Sequence, residues 1–256
     1  MADKELVHYR VDAGIATITL DSPHNRNALS AQLRAELHDH LTAAHGDDAV
    51  RVIVLDHTGP VFCAGMDLKE AGGASSADQP VNEFPAILEL IWTGPTPVVA
   101  KLAGPARAGG VGLAAAADIA VAAEDASFAF TEVRIGVVPA VISVTVLPRV
   151  LPRAAHELFL TGEKFDAPRA VRIGLLNSAV PAGDLDAEVK RYTDMLALGG
   201  PNALAATKRM LRRERPESLS ADLAAMSALS AGFFASTEGQ EGILAFAQKR
   251  TPNWVP

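Results

Sequence analysis

A single cysteine, Cys63, is all this 256-residue chain carries, which excludes an internal disulfide and any multi-cysteine metal site. Cys63 lies in the apolar run VFCAG, so the reading is a buried structural thiol rather than a nucleophile, and no metal is expected. Aromatic residues are only 5% of the chain, there is no long basic run, and the formal net charge is −7. A nucleic-acid binder would need the opposite, a basic footprint with stacking platforms. No stretch reaches about 18 uninterrupted apolar residues, so no membrane span is expected. The opening MADKELVHYR is charged and lacks the apolar core of a signal peptide, which predicts a soluble, cytoplasmic protein. The 49% of hydrophobic residues therefore serve a core: one substantial domain, or a domain with an appended helical piece.

Periodicity predicts an α/β chain. GIATITL (14–20) alternates as a strand, the polar turn DSPHNRN (21–27) follows, and Ser30 is placed to cap a helix carrying Leu33, Leu37 and Leu41 at four-residue spacing. VRVIVLD (50–56) reads as a buried strand, VFCAG (61–65) as a second strand, and 71–80 as a mobile loop before a helix over 83–92. The pattern repeats as a strand over 97–103, a glycine turn, a helix over 110–117 and a strand over 118–123. Such repeated units imply layers with loops gathered at one end. From about 141 the strand signals end and helices are expected, at 153–162, 167–175, 186–198, 201–213 and 239–249. The turn GEKFD separates the first two. A helical C-terminal segment of this kind packs on another subunit or back on its own domain, and the pattern alone leaves both open.

The most informative stretch is GPARAGGVG (104–112), a glycine cluster between an apolar run and a small-residue helix. Glycine permits close backbone approach, and a helix start leaves N–H groups without intrahelical partners. A phosphate loop of the GxxxxGK[ST] type would need Lys where Gly110 stands, and Gly109, Gly110 and Gly112 read GGxG rather than GxGxxG. Two readings remain: donors for an oxygen that gains charge during reaction, or a tight strand-to-helix turn without a ligand.

HNRNALS (24–30), VFCAGMDLKE (61–70), LAGPARAGGVG (102–112), FTEVRIGVVPA (130–140), LTGEKFDAPRAVRIGLLNSAV (160–180) and GILAFAQKR (242–250) occur in the order of one family. On these motifs the chain resembles the crotonase superfamily, the enoyl-CoA hydratase/isomerase family, over nearly its whole length. The resemblance implies an α/β fold: a spiral of repeated ββα units over 1–190 carrying the CoA and active site, then a helical trimerisation region over 191–256. It implies an acyl-CoA thioester as substrate, with coenzyme A arriving as part of that substrate and no permanently bound cofactor. Self-association as a homotrimer or dimer of trimers is expected. The matching oxyanion donors are the backbone N–H groups of Met66 and Gly109. CoA would be held by Arg26, Ala28, Asp67, Leu68 and Lys69, with Ala64, Met66, Gly109 and Gly110 beside the thioester and Lys249 reaching a neighbouring subunit's CoA phosphate.

Of the family's two acid/base glutamates, one matches Glu132; the other falls on Gly112 and is missing. The glutamate of another isomerase branch would fall on Pro139, and the aspartate of a dehalogenase branch on Ala140, so neither pattern is met. The resemblance implies first a hydratase acting on a 2-enoyl-CoA. The alternatives are a Δ3,Δ2-enoyl-CoA isomerase using Glu132 alone, and a catalytically weak acyl-CoA-binding protein.

Overall fold

The computed structural model describes residues 5–71, 83–213 and 218–255. A six-stranded sheet runs β1 (Val7–Asp12), β2 (Ile15–Leu20), β3 (Val52–His57), β4 (Val98–Leu102), β6 (Ile119–Ala123) and β9 (Ser178–Val180) in spatial order. β1 and β2 form an antiparallel hairpin, and each later neighbour is parallel. Parallel neighbours need long crossovers, and here helices supply them: α1 (Ala31–Gly46) between β2 and β3, α3 (Phe84–Thr93) between β3 and β4, α4 (Gly109–Ala116) between β4 and β6. A second sheet of three short strands, β5 (Ala106–Arg107), β7 (Ser127–Ala129) and β8 (Phe165–Asp166), stands beside the first.

α1 forms where the leucine spacing places it. Ser30 accepts a hydrogen bond from the Leu33 N–H, and Leu33, Leu37 and Leu41 are fully buried, each contributing about 1.5–3 kcal/mol through removal from water. The other face of the sheet packs Val52, Val54, Val99 and Val121 against Leu185 and Val189 of α8 (Leu185–Ala197), a helix that runs through residue 190. Valine and alanine dominate β3, β4 and β6 because both faces of a parallel sheet are covered.

The structure departs from the sequence expectations at four places. VFCAG is not a ladder strand: it makes one isolated bridge, Cys63 to Ala106, with Phe62 N–H donating to Pro105 O and Arg107 N–H to Cys63 O. The left-handed turn at Gly65 (φ 91) then leads the chain away. Strands do not end near 141, since β8 lies inside the GEKFD segment and β9 completes the main sheet; runs of two or three residues are too short for alternation to register. A further helix, α10 (Leu219–Ala235), was not anticipated. It is rich in alanine and apolar on all sides, so it carries no periodic stripe. The expected loop over 71–80 lies outside the described residues from 72 on. β1, too, precedes the first strand expected. Among the described residues no helix is long and apolar enough to cross a membrane.

Candidate active site

Two loops meet at the carboxyl ends of β3 and β4. A Cβ on Gly65 would lie 2.9 Å from Ala108 Cβ, 3.3 Å from Arg107 O and 3.5 Å from Gly109 N, so the contact exists only because residue 65 is glycine. A Cβ on Gly110 would fall 2.6 Å from Cys63 O, which seats the start of α4 directly on the 61–65 segment. Ala108, just before the helix, is held at φ 48, ψ −118, a conformation that favours glycine. Its carbonyl accepts from Val111 and Gly112 N–H, closing the first turn. No described group accepts from the N–H of Gly109 or of Met66. Both residues line one cavity of about 300 Å³.

Glu132 enters that cavity from the first turn of a 3-10 helix, Thr131–Ile135, which follows β7. Its Oε2 is buried and unpartnered. Desolvation pushes the carboxyl pKa up from its ordinary value, opposed only by its own backbone N–H; a raised carboxyl exchanges protons closer to neutral pH. Apart from Thr131, the remaining walls are apolar: Phe84, Ile135, Val137, Val141 and Ile142 among them. Among the described residues the site thus brings together a carboxylate with one unpartnered oxygen, two unpaired donors and a largely apolar lining. Such an arrangement can remove a proton beside a carbonyl and hold the oxyanion that results.

The segments expected at the CoA positions are joined at one rim. Ala64 N–H donates to Arg26 O, Leu29 N–H donates to Gly65 O, and Leu29 and Met66 form a bridge. Arg26 is exposed and left-handed (φ 62), Ala28 is buried, and Leu68 and Lys69 are exposed. Both oxygens of Asp67 are engaged: one accepts from Lys69 N–H at 3.0 Å at the start of the short α2 (Leu68–Ala71), the other from Asn25 Nδ2 at 3.4 Å. Ala64, Met66, Leu68, Gly109 and Glu132 line the cavity, whereas Arg26, Ala28, Asp67, Lys69 and Gly110 do not. Lys249 caps α11 (Thr237–Gln248), is exposed, and is not on this cavity's wall. Gly112 is buried beneath Ile142 and is also not on the wall. Cys63 is buried, with its thiol pushed up to about 12 by desolvation, which removes it as a nucleophile.

Two positioning residues escaped sequence reading. Asn27, left-handed (φ 53) and fully buried, donates to Thr58 O and Val61 O and accepts from Ser22 N–H, stapling the 22–27 turn to the segment before Phe62. Asn tolerates that backbone better than most residues, so NRN in a turn was a usable signal. Arg34, 3% exposed, donates to Leu29 O at 2.7 Å and pairs with Glu83 at 2.7 Å and Glu70 at 3.6 Å. An arginine on the leucine stripe of α1 was the sign that its guanidinium had partners within the fold.

The sequence profile of the enoyl-CoA hydratase/isomerase family matches residues 10–255. The rat mitochondrial enoyl-CoA hydratase domain-containing protein 3 is 36% identical over 258 residues, covering 99% of this chain and 85% of the relative. An enoyl-CoA hydratase structure from Mycobacterium avium is 45% identical with a TM-score of 0.75, covering 98% of this chain and 99% of that one. An enoyl-CoA hydratase/isomerase structure from Marinobacter aquaeolei superposes with a TM-score of 0.92 at 30% identity, covering 99% and 100%. Profile, relatives and the ββα arrangement around the Gly65–Gly109 contact agree, and the chain belongs to the enoyl-CoA hydratase/isomerase family, the crotonases.

Proposed function

We propose that this protein shifts the double bond of an enoyl-CoA thioester, with Glu132 as the single acid/base and the Met66 and Gly109 N–H groups as oxyanion donors. The observation that carries this reading is the one carboxylate, Oε2 unpartnered, in a cavity whose other walls are nearly all apolar. On a 3-enoyl thioester, Glu132 takes a proton from C2 and the charge passes to the thioester oxygen, where two preorganised donors are each worth about 3–4 kcal/mol. Glu132 then returns the proton to C4 as the double bond settles between C2 and C3. One base suffices because nothing is added or lost.

Coenzyme A enters as part of the substrate, along the rim where 26–29 meets 64–69. Exposed Leu223, Phe234 and Phe246 on α10 and α11 support self-association of the region beyond 190, as a trimer or dimer of trimers. Lys249 is assigned to a neighbouring subunit's CoA phosphate, a local positive charge that an acidic protein needs for a polyanionic ligand.

Hydration of a 2-enoyl-CoA is the second reading. The names of the relatives favour it, and so does Thr131, the polar uncharged residue that lines the cavity next to Glu132. Purified protein incubated with trans-2- and with cis/trans-3-enoyl-CoA separates the readings by product mass. The proposal predicts 3-enoyl converted to 2-enoyl thioester at constant mass. Gain of one water by the 2-enoyl substrate without any double-bond shift would replace it with hydration, and no turnover of either would leave a binding protein.

A further inference from the structure

Position 112 is more than a place where a carboxylate is missing. A Cβ built on Gly112 would lie 2.6 Å from Ile142 Cγ2, 3.2 Å from its Cβ and 3.7 Å from its Cα. Ile142 belongs to α5 (Ala140–Val146) and lines the cavity; Gly112 does not. A side chain growing from 112 therefore meets Ile142 first, and it is Ile142 that forms the cavity wall here. The obstruction is firm. Ile142 is 3% exposed, its β-branched side chain has few rotamers on a helix, and Thr145 Oγ1 fastens the two helices by donating to Gly112 O at 3.3 Å and to Ile142 O at 3.2 Å.

We infer that Ile142 is the specificity-determining residue of this site: packed on Gly112, it keeps water from the wall it forms over α4's first turn, so that the proton held by Glu132 goes back to the substrate. This rests on the double-bond-shift reading above and adds the reason the site does not hydrate. No polar atom from α4 or α5 side chains reaches the cavity at this point: the α5 residues on the wall are Ala140, Val141 and Ile142. A water held against that wall finds no side-chain partner on α4 or α5, where an ordered buried water requires two or more partners. Hydration adds hydroxyl to C3 and a proton to C2, and that hydroxyl has no holder on this side.

Gly112→Glu alone is expected to fail, since its Cβ overlaps a stiff buried neighbour; it should lose folded yield and gain no hydration. The informative variants pair it with relief of the contact: Gly112→Glu/Ile142→Ala removes the 2.6 Å approach, and Gly112→Glu/Ile142→Gly removes the 3.2 Å one as well, leaving 3.7 Å to the Cα of residue 142. Each is assayed with trans-2- and 3-enoyl-CoA, and the ratio of hydrated to double-bond-shifted product is read, because loss of a wall residue changes absolute rates. The ratio is expected to rise about tenfold or more in a folded double variant, short of the roughly 10²-fold at which the help of a well-positioned acid or base begins. A folded double variant with the wild-type ratio overturns the inference. Should neither double variant fold, Ile142→Ala with native Gly112 decides: run in D₂O, its 2-enoyl product should carry several-fold more solvent deuterium than the wild-type product, as water reaches Glu132. Equal deuterium content overturns the inference. Wild-type protein that hydrates without shifting the double bond defeats the underlying reading instead, and is recognised without any variant.

Discussion

Replacing Glu132 with glutamine separates the chemistry of the site from its stability, and the structure predicts opposite signs for the two. The amide nearly matches the carboxyl in size but cannot take up a proton. General acid–base help is typically about 10²–10⁴-fold, or roughly 3–5 kcal/mol of barrier, and that is the loss expected in double-bond shift. In the native enzyme the rate should fall with acid around a pKa above the ordinary 4.5, because desolvation raises it. For stability the linkage runs the other way. A carboxyl whose folded pKa is raised favours its neutral form in the fold, so its contribution is present below the unfolded pKa and lost as pH rises through the folded one. At pH 8 the ionised Oε2 is buried without a partner, a defect of about 1–3 kcal/mol, whereas the uncharged amide is cheaper to bury. Glu132→Gln should therefore melt higher than wild type at pH 8, with the gain shrinking toward pH 4. Thermal unfolding at both pH values, alongside turnover of 3-enoyl-CoA, tests both arms. Wild-type turnover by the variant, or a melting difference independent of pH, would refute the reasoning.

The remaining predictions concern the backbone donors and the assembly. Gly109→Val should reduce turnover more than Met66→Leu, because a Cβ at 109 already comes within 2.8 Å of Leu29 Cδ1 while leucine at 66 keeps the donor and nearly the same volume; equal small effects in a steady-state assay would remove the donors from the mechanism. Ala108→Gly should relieve the strain at φ 48, ψ −118, stabilising by about 1 kcal/mol and raising Tm by about 2–4 °C; an unchanged or lowered Tm would show that this backbone is not strained. Light scattering should find a trimer or its multiple. Lys249→Ala should raise KM for the CoA substrate with a weaker salt dependence; a monomer, or an unmoved KM, would count against the respective assignment.

Much of this was legible from local chemistry. Ser30 and the leucine spacing marked α1, the glycine cluster marked the start of α4, and Glu132 stood out within a matching motif. What stayed hidden was set by partners distant in the chain. VFCAG has the composition of a strand, yet its pairing is limited to Ala106 by the turn at Gly65. β8 and β9 are too short to show alternation, and α10, uniform around its circumference, has no face to reveal. Gly112 was read as an absent carboxylate; that it is required for the approach of Ile142, 30 positions later, follows only from how α4 and α5 pack. Arg34 likewise has meaning only beside Glu70 and Glu83.

The central claim is that one carboxyl carries a proton from one carbon of the substrate to another. Its most direct test is turnover of a 3-enoyl-CoA deuterated at C2 by wild-type protein, with the product analysed by mass and by the position of the label. The account predicts a 2-enoyl-CoA of unchanged carbon and oxygen content, carrying deuterium at C4 above the level that exchange from solvent leaves. A 3-hydroxyacyl-CoA as the main product, or a 2-enoyl product with no label at C4 under conditions where the Glu132 proton does not exchange, would contradict it.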